Sequence, residues 1–463
     1  MSSILIRGGT LVTMEDHQVV SDGSIYVEDG LIRDLGPSEA LAGRYRPDRE
    51  INATGKIVLP GLVDAHYHTC QQFLRGTLAS ITRKGQVHYP VWKNYLVPFE
   101  SLLSAEDVYL SGLAAYANII RVGTTCVSEH GGRHPEQMAK AMLQTGIRGL
   151  LAESTMDVPD PDLPPSMIHS TEECIDRNLQ IVRKWSGNGN GPIRGCFSLR
   201  QIIVCTPRLI REICRLAERH DALIQTHLAE GTYEVEYAIN RYSLRPAEYL
   251  ESLEALSPRL LCAHSVLLSD HEVELYARYG VKMAHCPNGN YTGLGMAKFP
   301  LMRRLGVDQN TGLGSDGASG GSIDLFQAMN TSVIGQMLYF GTPYLDKTVT
   351  NNYQAVAMAT INGARAVRWD SSIGSLKVGK QADIIVLEPS SLDCQPLQDD
   401  VYYTIVKCLR GRDVETVLIN GKVVMEDRRL LTVDEDELRR QIQDRVPSLY
   451  AAITAYYSRP AGA

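Results

Sequence analysis

The chain has 463 residues, of which 44% are apolar and 21% charged, the composition of an ordinary globular protein. Acidic and basic residues are interspersed to a formal net charge of −7 without any basic tract, so we expect no nucleic-acid partner. The ten cysteines follow no framework spacing, and neither a signal peptide nor a roughly 18-residue apolar run is visible, so we expect reduced thiols, no membrane and a cytoplasmic location.

Residues 1–58 are predicted to form short strands separated by turns. Apolar segments alternate here with turn signals, of which Asp29-Gly30 is typical of a tight hairpin. A segment of this length is too short to bury an adequate core by itself. We therefore expect it to need a partner elsewhere in the chain.

Residues 59–370 repeat one pattern, in which a short apolar strand is followed by a longer helical segment. Such alternation predicts βα units and a parallel sheet. Eight units fit a (β/α)₈ TIM-type barrel, an α/β fold whose active site lies at the C-terminal ends of the strands. The long insertion from Thr69 to Ser104 could supply a lid. The candidate strands are Ile57–Ala65, Thr124–Glu129, Arg148–Glu153, Arg194–Arg200, Ala222–Leu228, Leu260–His264, Val281–His285 and Thr311–Asp316.

Residues 371–463 return to short strands and close with a helix predicted from Glu435 to about Tyr457. Pairing this segment with residues 1–58 would solve the burial problem of both. We therefore predict that the two ends form one small β-sandwich domain beside the barrel of residues 59–370.

Most of the candidate barrel strands end in a residue that can bind a metal or move a proton. His66 and His68 stand at positions i and i+2, which share one face of a strand. A lone histidine at a strand end is more often a hydrogen-bonded scaffold residue than a ligand. That explanation would have to hold at several successive strand ends, which also carry His227, His264 and Asp316.

Three imidazoles and one carboxylate suit Zn²⁺ or Fe²⁺, and a catalytic site of this type keeps an open position for water. A second metal in such barrels generally needs a bridging group, often a carboxylated lysine near strand four. The sequence has no lysine between Lys184 and Lys282, so strand four offers none. We therefore predict a site for one divalent ion.

These strand ends resemble the ordered motifs of the amidohydrolase superfamily. The nearest branch contains guanine deaminase, adenosylhomocysteine/methylthioadenosine deaminase and the triazine hydrolases, and the likeness spans nearly the whole chain. The segments that carry it are Pro60–His68, His227–Glu230, Ala263–Ser265, His285–Asn290, Gly314–Gly317 and Ile373–Asp383.

The resemblance implies a hydrolytic deaminase of a small nitrogen heterocycle, in which Glu230 shuttles a proton and His264 orients the attacking water. Asp316 would be both a metal ligand and a proton acceptor. Related enzymes are often homodimers or larger oligomers. The metal ligands would be His66, His68, His227 and Asp316. The ion would be zinc, with iron as the alternative.

Three residues bear on the substrate. The Arg200 guanidinium presents only donors, which favours a carbonyl oxygen on the ring, and Gln71 resembles a glutamine that guanine deaminases present to the base. Glu100, in Pro98-Phe99-Glu100, resembles the glutamate that grips ribose in the nucleoside branch. Arg200 and Gln71 favour an oxo-amino ring such as guanine, a pterin or a related purine. Arg200 could instead belong to a structural ion pair.

Other interpretations stay open. The same site would serve an adenosine-type nucleoside deaminase or a triazine hydrolase, and some barrels of this superfamily are scaffolds without a metal. A two-metal cyclic amide hydrolase is disfavoured by the missing lysine. His88, His130 and His134 could approach the same face, but scattered histidines are more often surface or loop groups, and we predict no catalytic role for them.

Overall fold

The computed structural model describes residues 3–76, 88–185, 191–397 and 399–457. Its strands are β1 (Ser3–Val12), β2 (Val19–Glu28), β3 (Leu31–Pro37), β4 (Arg49–Asn52), β5 (Ile57–Pro60), β6 (Leu62–His68), β7 (Thr124–Glu129), β8 (Arg148–Leu151), β9 (Ile193–Gly195), β10 (Phe197–Gln201), β11 (Ile224–Leu228), β12 (Leu260–His264), β13 (Lys282–His285), β14 (Thr311–Leu313), β15 (Asp316–Gly317), β16 (Ile384–Leu387), β17 (Val414–Ile419), β18 (Lys422–Glu426) and β19 (Arg429–Leu430).

The α-helices lie mostly between the strands of the central region. They are α1 (Ser38–Leu41), α2 (Val97–Leu102), α3 (Ala105–Arg121), α4 (Pro135–Thr145), α5 (Thr171–Trp185), α6 (Pro207–His220), α7 (Thr232–Tyr242), α8 (Pro246–Ser252), α9 (Asp270–Tyr279), α10 (Pro287–Asn290), α11 (Phe299–Arg304), α12 (Leu325–Gln336), α13 (Asn352–Met358), α14 (Ile361–Ala366), α15 (Val401–Tyr403) and α16 (Glu435–Tyr457). The last of these has the bounds predicted from the sequence.

Local chemistry sets where several of these helices begin. At the start of α3, the Ser104 side chain accepts a hydrogen bond from the Asp107 backbone N–H, and the Ser104 backbone N–H donates to the Asp107 carboxylate. Ser269 and Glu272 make the same reciprocal pair before α9. Each pair satisfies two backbone donors that would otherwise lack a partner. Thr206 caps α6 in a similar way.

The two ends of the chain join in one sheet of nine strands. Its order is β19-β18-β17-β16-β5-β1-β2-β3, with β4 beside β1. The contact between the two ends is the antiparallel pairing of β5 with β16, for example Leu59 with Ile385. The predicted pairing of the termini is therefore observed. The strands belong to one continuous sheet, and the sandwich arrangement itself stays a prediction.

The central region contains two parallel sheets of five strands each, in the orders β15-β6-β7-β8-β9 and β10-β11-β12-β13-β14. Helices follow most of these strands, as the sequence pattern predicted. The two sheets adjoin along the chain at both ends, because only Cys196 separates β9 from β10 and only Gly314 and Ser315 separate β14 from β15.

Three predicted strands are each divided in two in the structure, and three others, at Arg148–Leu151, Ile224–Leu228 and Lys282–His285, are shorter than predicted. Ile57–Ala65 divides at Gly61: residues 57–60 pair in the terminal sheet, and β6 of the central parallel sheet starts at Leu62. Gly61 fits tightly here, since a Cβ would lie 2.2 Å from Thr125 Oγ1. The strands predicted as Arg194–Arg200 and Thr311–Asp316 are each divided as well, and their halves pair with different neighbours.

The predicted lid lies partly outside the described residues, because it includes residues 77–87. Its described part comprises a 3₁₀ helix at Thr69–Leu74, a π-helical turn at Trp92–Leu96 and α2. Within the described part of the chain, no helix is both long and apolar enough to cross a membrane.

A buried ion pair ties the central region to the terminal sheet. Arg148 in β8 donates to both carboxylate oxygens of Asp383 at 2.9 Å, and each side chain is only 1% exposed. The Asn420 backbone N–H also donates to Asp383 at 2.8 Å. Two parallel charge-assisted bonds fix the two units in both distance and angle.

We expect Asp383→Ala to lower the free energy of unfolding by about 3–5 kcal/mol, because it leaves the buried Arg148 charge without its partner. Chemical denaturation followed by circular dichroism measures this change. The control is Arg439→Ala, which removes an exposed ion pair with Asp436 on α16 and should leave stability nearly unchanged. Equal effects of the two substitutions would contradict a structural role for the buried pair.

Candidate metal-binding active site

The predicted ligands come from strands that lie far apart in the sequence. His66 and His68 occupy the end of β6, His227 lies in β11, and His264 ends β12. Asp316 begins β15, which pairs with β6 so that Asp316 stands opposite Tyr67. The parallel direction of the strands brings their C-terminal ends to one region of the molecule.

The ligand atoms are close enough to share one ion. The Nε2 atoms of His68 and His227 are 3.1 Å apart, and Asp316 Oδ1 lies 3.6 Å from His66 Nε2 and 3.7 Å from His68 Nε2. Two overlapping sets each have all their ligand atoms within 4.8 Å of one another. They are His66 with His68 and His227, and His66 with His264 and Asp316.

Hydrogen bonds define which ring nitrogens are free to bind. His227 Nδ1 lies 2.6 Å from the carbonyl oxygen of Arg200, and His264 Nδ1 lies 2.9 Å from Oδ1 of Asn290. Because both oxygens only accept, each Nδ1 carries the hydrogen and each Nε2 keeps a lone pair. A hydrogen bond on the second ring nitrogen is how proteins commonly orient a metal-binding imidazole.

Burial keeps the imidazole rings of His66, His68 and His227 neutral. Removal from water lowers the pKa of His66, His68 and His227 below the ordinary histidine value. His66 Nε2 is buried and has no hydrogen-bond partner among the described residues. Neutral rings with unshared electron pairs next to a carboxylate are a donor set that fits a divalent cation with a preference for nitrogen and oxygen.

The backbone is strained at two of these positions. His264 has φ 68° and Asp316 has φ 64°, in the left-handed region that residues with a Cβ seldom adopt. Such conformations cost about 1–3 kcal/mol each and occur where a side chain must be aimed at a site. Here they place both side chains at the shared centre.

The buried carboxyl group of Asp64 connects two of the segments that carry the predicted ligands. Asp64 accepts hydrogen bonds from the backbone N–H of His66 at 3.2 Å and of Ser315 at 3.0 Å, and burial raises its pKa to about 7. It thereby links the segment that carries His66 to the one that carries Asp316.

Glu230, the predicted proton shuttle, is half-buried three residues beyond His227. Its carboxylate accepts a hydrogen bond from Gln201 Nε2 at 2.9 Å. Glu230 is therefore hydrogen-bonded to Gln201, which pairs with His227 in the neighbouring strand, and it belongs to neither ligand set.

The three predicted substrate residues contact one another. Glu100 Oε2 lies 3.2 Å from Arg200 Nη1, and Glu100 Oε1 accepts from Gln71 Nε2 at 2.9 Å. All three side chains are almost completely buried. Ser319 donates to Gln71 Oε1 at 2.9 Å. The ion pair that was the alternative explanation for Arg200 is thus present.

The expectation that His130 is a surface group is wrong, whereas its lack of a catalytic role stays a prediction. His130 is fully buried, and its ring centroid lies 3.9 Å from that of His227 and 4.9 Å from that of His66. It directly follows β7, so the strand-end rule that identified the other histidines would also have identified it. His88 is exposed and His134 is half-buried.

Comparison with known proteins identifies the family. Residues 57–424 match the Amidohydrolase family, and the chain belongs to it. It is a hydrolase of C–N bonds, as the resemblance implied.

Relatives align over nearly their whole length. A 5'-deoxyadenosine deaminase of Methanobrevibacter smithii is 29% identical over 452 residues, which cover 97% of this chain and 99% of the relative. A 5-methylthioadenosine/S-adenosylhomocysteine deaminase of Syntrophobacter fumaroxidans is 31% identical over 447 residues, covering 95% and 96%. A crystal structure of an adenosine deaminase from Xanthomonas campestris with bound zinc is 28% identical, with a TM-score of 0.87 and coverage of 96% and 99%. The family and this structural likeness imply a TIM-barrel architecture.

We expect the purified protein to hold about one divalent ion per chain, measured by inductively coupled plasma mass spectrometry. His227→Ala should lower this occupancy strongly, because it removes one of the converging nitrogens. His271→Ala, which changes an exposed histidine on α9, is the matched control and should leave it unchanged. Two ions per chain, or full occupancy in His227→Ala, would contradict the predicted site.

Proposed function

We propose that this chain is a zinc-dependent deaminase that hydrolyses the exocyclic C–N bond of an adenosine-type nucleoside and releases ammonia. The observation that carries the proposal is the convergence of His66, His68, His227 and Asp316, with Glu230 beside them. The two relatives described above bear the names of adenosine-type deaminases and extend over nearly the whole chain.

This proposal replaces the oxo-amino ring favoured by the sequence alone. That prediction depended on Arg200 as a free donor to a ring carbonyl. In the structure the guanidinium is paired with Glu100, and its Nη1 also lies 3.4 Å from Ser154 Oγ. Both contacts use Nη1, so the ion pair gives Arg200 a structural role but leaves its other N–H donors unassigned. The names of the relatives therefore make the nucleoside alternative the better supported of the two.

Four side chains would hold the ion: His66, His68, His227 and Asp316. When bound, a divalent cation supplies an acidified water as nucleophile near neutral pH. Zinc is our choice of ion because of the nitrogen-rich donor set and the zinc in the adenosine deaminase structure.

Glu230 is proposed to give a proton to a ring nitrogen next to the carbon that bears the amino group. Protonation withdraws electrons from that carbon and makes it easier to attack. His264 keeps its hydrogen on Nδ1, so its Nε2 can accept a hydrogen bond from the attacking water and orient it. Asp316 could receive the proton that the water loses.

Gln71, Arg200 and Glu100 are proposed to shape the wall of the substrate site as one connected network. The network touches two ligand segments, because the Arg200 carbonyl binds His227 and Gln71 lies against Gly317. We also propose that the two parallel sheets close into the barrel of residues 59–370, flanked by the terminal domain of residues 1–58 and 371–463.

A substrate panel tests the proposed specificity. We expect ammonia release from 5'-deoxyadenosine, methylthioadenosine, adenosylhomocysteine or adenosine, and little from guanine or a pterin. Turnover is followed by an ammonia assay coupled to glutamate dehydrogenase. Zinc-loaded protein that acts on guanine or a pterin but on none of the adenosine compounds would refute the nucleoside proposal.

We expect Glu230→Gln to reduce kcat by about 10²–10⁴-fold, the usual contribution of a positioned proton donor, while zinc content stays unchanged. Glu236→Gln, which changes an exposed glutamate on the helix that follows Glu230, is the control and should retain full activity. If Glu230→Gln turned over as fast as the unaltered enzyme, this residue would have no part in the proton transfer.

A further inference from the structure

Glu230 needs a fixed orientation to act on a bound ring. Its side chain has three rotatable bonds, and a displacement of about 1 Å can cost a hundredfold in rate. The residue lies in the short segment between β11 and α7, where the preceding Ala229 has φ 49°. This backbone alone does not determine where the carboxylate points.

Gln201 provides one contact to the carboxylate. It ends β10, is 1% exposed, and donates from Nε2 to Glu230 Oε2 at 2.9 Å. The residue before it, Arg200, accepts the hydrogen bond from His227 through its carbonyl oxygen. One dipeptide thus fixes both a metal ligand and the proton shuttle, which sets the distance between them.

Tyr233 is the second candidate donor to Glu230, and the neighbouring Trp92 fixes the direction of its hydroxyl hydrogen. Trp92 Nε1 lies 3.1 Å from the Tyr233 hydroxyl, and an indole N–H can only donate. The hydroxyl oxygen therefore accepts from Trp92 and its own hydrogen is left to donate. Gln201 Nε2 lies 3.5 Å from the same hydroxyl, and burial together with the nearby Glu230 raises the pKa of Tyr233 well above the ordinary value.

The neighbouring Glu234 holds the backbone of Glu230. Glu234 is completely buried, and its Oε2 accepts the Glu230 backbone N–H at 3.0 Å. Burial raises the pKa of Glu234 well above the ordinary value, which favours its uncharged form. Gln201 Nε2 lies closer to Glu230 Oε2, at 2.9 Å, than to Glu234 Oε2, at 3.4 Å.

We propose that Gln201 and Tyr233 are positioning residues that hold the Glu230 carboxylate between two donors and aim it at the substrate. The inference rests on the proposed function, in which Glu230 moves the proton. Trp92, from the insertion between β6 and β7, completes the arrangement by fixing the direction of the Tyr233 hydroxyl.

Tyr233→Phe and Gln201→Met test this inference, since each removes one donor with little change in size. We expect each to lower kcat by about tenfold to a hundredfold, the effect of one hydrogen bond to a charged group, while KM changes less than about twofold. Zinc content and melting temperature should stay near those of the unaltered enzyme. The control is Tyr279→Phe, which removes a similar bond, 3.0 Å long, to Glu251 and should leave kcat unchanged.

Crystal structures of the zinc-loaded enzyme and both variants give a readout that does not depend on turnover. We expect the Glu230 carboxylate to leave its position in each variant. An unmoved carboxylate with unchanged kcat, or a rise in KM alone, would overturn the positioning role. If the unaltered enzyme released no ammonia from any substrate but the carboxylate still moved in the variants, the proposed function would fail and the positioning role would stand.

Discussion

The structure depends on one constraint: histidine ring nitrogens and one carboxylate must converge on a single, largely buried point. His227 keeps its Nδ1 hydrogen on the Arg200 carbonyl, so its Nε2 lone pair faces the Nε2 of His68 only 3.1 Å away. Buried groups of this kind are costly unless something binds them. A shared divalent cation satisfies the imidazoles and balances the charge of Asp316 together.

The rest of the fold serves to hold that point. Strands β6 and β15 lie side by side, and Asp64 binds the backbone of both strand ends from below. The terminal sheet contributes from outside through the Arg148–Asp383 pair, which fixes it against β8. Left-handed backbone at His264 and Asp316 shows that local strain is accepted to aim these side chains.

The strands and the metal-binding residues at their ends could be predicted from the sequence, because a short apolar run followed by a histidine or a carboxylate is a simple pattern. The residues around His66, His227 and Asp316 follow apolar runs of strand length, and their convergence follows from parallel topology. The same local pattern does not show which side chains pair with each other in the folded chain. Arg200 and Glu100 are one hundred residues apart, so no local pattern indicates that they form an ion pair. The divided strands were missed because both halves are apolar and only their pairing partners differ.

The most direct test of the account is X-ray absorption spectroscopy at the zinc edge of the metal-loaded enzyme. The account predicts a single zinc surrounded by nitrogen and oxygen at about 2.0–2.2 Å, with the multiple-scattering pattern of three imidazoles and no sulfur. Burial raises the pKa of the Cys70 and Cys286 thiols well above the ordinary value, which disfavours a thiolate ligand, and neither cysteine belongs to the two ligand sets. Sulfur at about 2.3 Å, or a second metal scatterer at about 3.5 Å, would contradict the mononuclear histidine–carboxylate centre.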